Sequence, residues 1–141
     1  MTPSPITPPT LPPPSGPAVA PPLDGPLRSV CHRDYDVARL AAHRTDRVTV
    51  ALPARNEENT VGDIVNALHH DLVIGGLVDE LIVIDDHSTD ATAREARTAG
   101  ATVVTSSDLL ADFGAGHGKG EVLWKSLCAG SGDVIVWCDA D

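Results

Sequence analysis

The rhythm of apolar and polar positions changes at Arg47: from there, short β-branched runs alternate with stretches whose apolar residues recur at helical spacing. Val48–Leu52 (VTVAL) is the first such run, and the sequence predicts that Pro53 ends it. Asn56 then offers the short polar side chain of a helix N-cap, and Glu57 and Glu58 fall where a helix dipole favours carboxylates. Val61, Ile64, Val65, Leu68 and Leu72 follow at i, i+3, i+4, i+7 and i+11, which is one buried stripe.

The next unit repeats the scheme. Leu81–Ile84 (LIVI) is apolar on both faces, as a central parallel strand covered on each side should be, and it stops at Asp85-Asp86. Ser88 and Thr89 are predicted to cap an alanine-rich helix that Gly100 closes at the position after its end. Ala101–Thr105 reads as a third strand, Ser106–His117 as a loop, Glu121–Ala129 as a helix, and Val134–Cys138 as a fourth strand running into Asp139-Ala140-Asp141. Trp124 and Trp137 are expected in the core, and residues 34–44 as a short helix packed against the sheet from outside. The order β-α-β-α-β-α-β, with right-handed crossovers, predicts an α/β fold: a parallel sheet with helices on both faces.

Composition divides the chain further. All of the 12 prolines except Pro53 lie within residues 1–26, so residues 1–27 read as a disordered, polyproline-leaning leader, followed by a helical segment over 28–46 and the α/β segment over 47–141. The leader lacks the basic start and apolar centre of a secretory signal, and no stretch has the length and apolarity of a membrane span, so a soluble, cytoplasmic protein is expected. Twenty acidic against 10 basic residues give a net charge of −10, all of it in residues 47–141, which opposes binding to nucleic acid or anionic lipid. Cys31, Cys128 and Cys138 have no metal or disulfide spacing and read as buried or idle thiols. His69 and His70 are adjacent, so they cannot face one metal from a helix.

An open parallel sheet binds its ligand beyond the carboxyl ends of its strands. Those positions read Pro53-Ala54-Arg55-Asn56-Glu57, then Asp85-Asp86-His87, then the 106–120 loop, then Asp139-Ala140-Asp141. A dinucleotide fingerprint is missing, because P-A-R-N-E-E stands where G-x-G-x-x-G is needed. A P-loop is also ruled out: Gly114 and Gly118 are separated by three residues instead of four, and Gly120 follows Lys119 where Ser or Thr would hold magnesium. What remains is acid after three of four strands. Such crowding is costly unless a cation or a hydroxyl-rich ligand offsets it, and carboxylates with a divalent ion suit a sugar nucleotide.

VTVALPARNEENTVGDIV, LIVIDDHSTDAT and VIVWCDAD together resemble the nucleotide half of a GT-A glycosyltransferase of the family 2-like kind. Gly116–Leu127 (GHGKGEVLWKSL) is similar to the retaining glucosyl-3-phosphoglycerate synthases. The resemblance covers roughly Arg28 to Asp141 and implies a donor, UDP-glucose, an acceptor, 3-phosphoglycerate, and Mg²⁺ or Mn²⁺ as cofactor. By it, Pro53, Ala54, Arg55, Asn56 and Glu57 lie against uridine, and Asp86 is near the same nucleoside. Lys119 completes the donor pocket, Asp139 and Ala140 contact ribose and diphosphate, and Asp141 ligates the metal. The chain departs from the family's L-N-E-E, D-S-G-S-T-D and D-S-D at Arg55-Asn56, Asp86-His87 and Ala140.

Neither a general base nor an acceptor site is identifiable, and acceptor recognition is expected from residues beyond Asp141. A homodimer is allowed for the full-length enzyme. Each residue also has a plainer reading: Glu57 and Glu58 as dipole partners, Asp85 and Asp86 as turn formers, Lys119 as a solvated loop cation. Two other functions stay open: a family 2-like glycosyltransferase with a different acceptor, and a non-catalytic segment that binds UDP-sugar.

Overall fold

The computed structural model describes residues 31–110 and 118–141. The proline-rich leader, His117 and the first glycines of the glycine-rich string lie outside them. Eight elements follow in order: α1 (Val37–His43), β1 (Val48–Ala54), α2 (Val61–Leu68), β2 (Glu80–Asp85), α3 (Thr92–Thr98), β3 (Thr102–Thr105), α4 (Lys119–Ala129) and β4 (Val134–Trp137). Short turns of 3₁₀ helix at His32–Asp34 and Ser106–Asp108 and a π-turn at His69–Val73 complete the regular structure of the described residues.

All strand pairs are parallel, in the order β3-β2-β1-β4. β1 is therefore the hub: the chain builds outward through β2 and β3, then crosses back to add β4 on the opposite side. The alternation of side chains along the strands splits the core in two. Val50, Leu52, Ala54, Leu81 and Val83 pack with Val61, Val65 and Ala96 of α2 and α3, whereas Ala51, Ile82 and Ile84 pack with Val122 of α4. Helices cover both faces, as the apolar strands required.

Several local expectations are corrected. β1 runs through Pro53 to Ala54, because the rungs to β4 end at Ala51↔Trp137 and the missing Pro53 amide has no ladder partner to lose there. Asn56 is not an N-cap: it has φ 57°, and α2 begins at Val61, after Thr60, which makes no side-chain cap. Nor do Ser88 and Thr89 cap α3, whose N-cap is Ala91 without a side-chain bond. α4 starts two residues earlier than predicted, at Lys119, and β4 ends at Trp137. Trp124 and Trp137 are 46% and 49% exposed and do not belong to the core. Trp137 donates its indole N–H to Ser126 Oγ at 2.8 Å, which turns the ring across α4. α1 buries no residue, and the three cysteines form no disulfide among the described residues, none of them being buried.

The end of α3 matches expectation in detail. Gly100, at φ 103°, donates to Arg97 O, and the Ala101 amide to Ala96 O, so the last turn closes on a residue without Cβ.

Arg44 ties the segment after α1 to the start of β2. Its guanidinium makes a bidentate pair with Asp79 at 2.6 and 2.8 Å, its Nε donates to Gly76 O at 2.7 Å, and Asp79 Oδ2 also accepts the Val48 amide at 2.8 Å. The hydrogen bonds from Arg44 and Val48 hold the Asp79 carboxyl well below the usual carboxylate range. At the other side of β1, Thr49 donates to Glu80 Oε2 and accepts the Gly132 amide. A Cβ on Gly132 would stand 2.6 Å from Thr49 Oγ1, 2.7 Å from its backbone N and 2.9 Å from Val134 O, too close for any side chain.

Two outcomes follow. Gly132→Ala should lower the unfolding free energy by about 1–3 kcal/mol, read by chemical denaturation, since backbone rather than a flexible side chain must yield. Because the Asp79 carboxyl is depressed in the folded state, its contribution is complete above the unfolded value of about 4 and is lost as pH falls below it. Thermal melts between pH 5 and pH 2 should therefore decline less steeply for Asp79→Asn than for the wild type.

Candidate functional site

The crossover between β3 and β4 places the switch point of the sheet between β1 and β4, where the loops diverge and leave a crevice at the strand ends. A cleft of about 290 Å³ opens there. Its walls include Pro53, Ala54, Arg55 and Glu57 after β1, Asp86 after β2, Lys119 at the head of α4, and Asp139, Ala140 and Asp141 after β4. Gly118 and Val122 complete the lining. Nine of the ten residues nominated from the sequence thus share one concavity.

Asn56 is the exception. Its Oδ1 accepts the Thr89 amide at 2.8 Å and its own amide donates to Ser88 Oγ at 3.0 Å, so its polar groups are spent on the neighbouring loop. Three further bonds extend this seam. The Glu57 amide donates to Thr92 Oγ1 at 2.7 Å, and Glu58 and the Asp90 loop exchange bonds, the Glu58 amide to Asp90 Oδ2 at 3.2 Å and the Ala91 amide to Glu58 Oε2 at 2.9 Å. The loop after β1 is laced to the loop after β2, and the residues read as caps are the laces.

Glu57 is thereby fixed from behind. Its Oε2 accepts the Thr60 hydroxyl at 3.1 Å, and the same hydroxyl lies 2.8 Å from Ala140 O, linking the first wall of the cleft to the last. Thr60 was missed in the sequence because its partner is 80 positions away.

Asp86 is buried, and its amide is locked by Ala54 O at 2.9 Å. Its Oδ1 accepts the Ser106 hydroxyl at 3.1 Å and sits 3.0 Å from His87 Nδ1, which supplies the partner that the sequence did not reveal for His87. Burial opposes the Asp86 charge. Hydrogen bonds from His87 and Ser106, with the positive charge of Arg55 nearby, outweigh it and hold the carboxyl below the usual range. Across the cleft Lys119 is ion-paired with Asp139. That hydrogen bond and charge, with Asp141 adding more, raise the ammonium above the ordinary lysine value. The Asp86 carboxylate and the Lys119 ammonium are therefore charged at neutral pH.

Of the four carboxylates lining the cleft, Glu57, Asp86 and Asp139 each accept a hydrogen bond; Asp141 accepts none from any described residue. No cluster of three metal-ligating side chains occurs among the described residues. A hard divalent cation is commonly held by one or two carboxylates together with ligand phosphates, and the Asp141 oxygens fit that use.

The profile of glycosyl transferase family 2 matches residues 49–141. The chain belongs to that family. The family 2 match begins inside β1 and spans every residue of the cleft wall. The chain is 49% identical over 108 residues to the glucosyl-3-phosphoglycerate synthase of Mycolicibacterium smegmatis, covering 76% of this chain and 35% of that protein. It superimposes with a TM-score of 0.75, at 41% identity, on the Mycobacterium tuberculosis glucosyl-3-phosphoglycerate synthase solved with Mn²⁺, UDP and glucosyl-3-phosphoglycerate, covering 82% of this chain and 42% of that one. With the mannosyl-3-phosphoglycerate synthase of Rubrobacter xylanophilus the TM-score is 0.70 at 36% identity, over 75% of this chain and 34% of that one. The fold is GT-A. The chain spans about a third of the length of the curated relatives it matches.

Thr92 is fully buried and its hydroxyl accepts the Glu57 amide, so Thr92→Val keeps the shape and leaves that amide without a partner. The substitution should cost about 1–3 kcal/mol in urea unfolding and raise amide exchange at Glu57, read by hydrogen-exchange NMR.

Proposed function

We propose that the protein is a retaining, metal-dependent glucosyl-3-phosphoglycerate synthase, that it transfers glucose from UDP-glucose to 3-phosphoglycerate, and that the described cleft is its donor site. The observation that carries the reading is the convergence on one cleft of Pro53, Ala54, Arg55, Glu57, Asp86, Lys119 and Asp139–Asp141, the positions where a family 2 donor site is expected. Identity of 49% to a glucosyl-3-phosphoglycerate synthase supports the narrower choice of donor and acceptor.

At about 290 Å³ the cleft lies at the lower end of small-molecule pockets, roughly 300–1,000 Å³, which is room for a nucleoside more than for a complete sugar nucleotide. Uridine therefore sits against the Pro53–Arg55 backbone with Glu57 and Asp86 as acceptors for its ribose hydroxyls and base N–H. α4 opens at the cleft with no side-chain cap at Gly118, so its first amides and the Lys119 ammonium face the diphosphate end. Asp139 holds Lys119 in place and Asp141 holds Mg²⁺ or Mn²⁺ together with donor phosphate oxygens. When bound, the cation supplies Lewis-acid neutralisation of the charge that builds on the departing UDP. The acceptor, with a phosphate and a carboxylate, calls for more cationic groups than Arg55 and the Asp139-paired Lys119 of this cleft, and its site belongs to another part of the protein.

Isothermal calorimetry tests the reading. UDP-glucose should bind with Mn²⁺ present, at least tenfold more weakly without it, and Asp141→Ala should remove the difference. Because one carboxylate needs the diphosphate to complete a metal site, Mn²⁺ alone should bind only weakly. Donor binding that ignores both Mn²⁺ and Asp141→Ala would overturn the assignment of the metal, and no binding of UDP-glucose at millimolar concentration would overturn the donor site.

A further inference from the structure

Beneath the cleft a line of polar contacts runs from α4 to Asp86, and nothing in the proposed donor site uses its far end. Lys125 is 1% exposed, the largest fully buried side chain among the described residues. Its Nζ donates to the Ser106 carbonyl at 3.0 Å and lies 3.4 Å from Glu121 Oε1, one turn earlier on α4. Ser106, also 1% exposed, donates its hydroxyl to Asp86 Oδ1 at 3.1 Å, the oxygen beside His87 Nδ1.

A buried ammonium is an expensive way to fill space, since an apolar side chain of similar volume is often at least as stabilising. Here, beside its pair with Glu121, its hydrogen bond goes to the backbone carbonyl of the turn that carries the serine. The consequence appears at Asp86. Its Oδ1 is held from two sides, and Oδ2 meets no donor among the described residues while the side chain lines the cleft.

We propose that Lys125 is a positioning residue for donor recognition: through Ser106 it fixes the Asp86 carboxylate so that Oδ2 is presented to the N3 position of the nucleobase. This rests on the reading of Asp86 as a nucleoside contact. An ionised carboxylate only accepts hydrogen bonds, so the arrangement favours uracil, whose N3 carries a hydrogen, over cytosine, whose N3 carries a lone pair. Freed of Ser106, the carboxylate can rotate, and the preference should fade.

The test measures the dissociation constants of UDP and CDP, with Mn²⁺ present, for the wild type, Lys125→Met, Ser106→Ala and the double variant. Lys125→Met should weaken UDP about tenfold while CDP changes less than twofold, so the UDP-over-CDP preference falls about tenfold. Ser106→Ala should do the same, and the double variant should lose little more than either single one, because the two act in series. Equal weakening of both nucleotides, or additive losses, would overturn the proposal, since a role in folding alone does not distinguish the bases. If Lys125→Met does not fold, Ser106→Ala decides: an unchanged preference overturns the positioning role. A wild type that binds UDP well, with variants that match it, refutes the positioning alone. A wild type that binds neither nucleotide refutes the donor-site reading as well.

Discussion

Carboxylates forced to one edge are the constraint that the rest of this structure answers. Parallel strands all end on the same side, and here Asp85-Asp86, Glu57-Glu58 and Asp139-Ala140-Asp141 follow three of the four strand ends. Mutual repulsion would splay these loops if the charges were left to water. Instead the acids are consumed as acceptors: Asp85 takes the Ser88 amide, Asp90 the amides of Thr92 and Glu58, Glu58 the Ala91 amide, Asp86 its two donors, Asp139 Lys119. Backbone amides and hydroxyls are cheap partners because they bring no second charge that must itself be desolvated. Among the described residues, Asp141 is the carboxylate at the cleft wall that accepts no hydrogen bond.

The same constraint explains what the sequence shows and what it hides. Strands were legible because Val48–Leu52 and Leu81–Ile84 are apolar runs too short for helices, and their two-sided apolarity already implied cover on both faces. The cleft was legible because topology alone puts every loop after a strand at one edge, so residue type and position in the chain sufficed to nominate its walls. Helix starts were not. Asn56, Ser88 and Thr89 have the composition of N-caps, yet each bonds to a loop more than 30 positions away, and a pairing at that distance outcompetes the local bond that propensity describes. The left-handed φ of Asn56 and of His87, 57° and 61°, follows from the same lacing, for both stand at strand ends where the backbone must reverse to meet its neighbour loop.

The two tryptophans mark a different limit. Large aromatic residues usually enter a core, but among the described strands β4 pairs with β1 alone, and α4 offers Val122 and Lys125 rather than Trp124 to the sheet. Burial on α4 is decided by where its face points. Val122, Lys125 and Ser126 are buried at a three-and-four spacing, and Trp124 and Leu127 occupy the opposite side. Since a lysine occupies the middle of that buried stripe, hydropathy undervalued it. The helix amphipathicity is accordingly weak to the eye.

α4 then connects two parts of the site that the loops keep apart. Lys119 at its first turn reaches Asp139 after β4, and Lys125 in its middle reaches Ser106 behind Asp86. An 11-residue helix is a rod about 16 Å long, and its body cannot stretch without breaking its own ladder. Any shift of α4 along the sheet must therefore move the Lys119–Asp139 pair and the Ser106 support of Asp86 together. In the proposed donor site these are the diphosphate end and the base end. Their spacing depends on the rise of one helix as well as on the loops that carry Asp86 and Asp139.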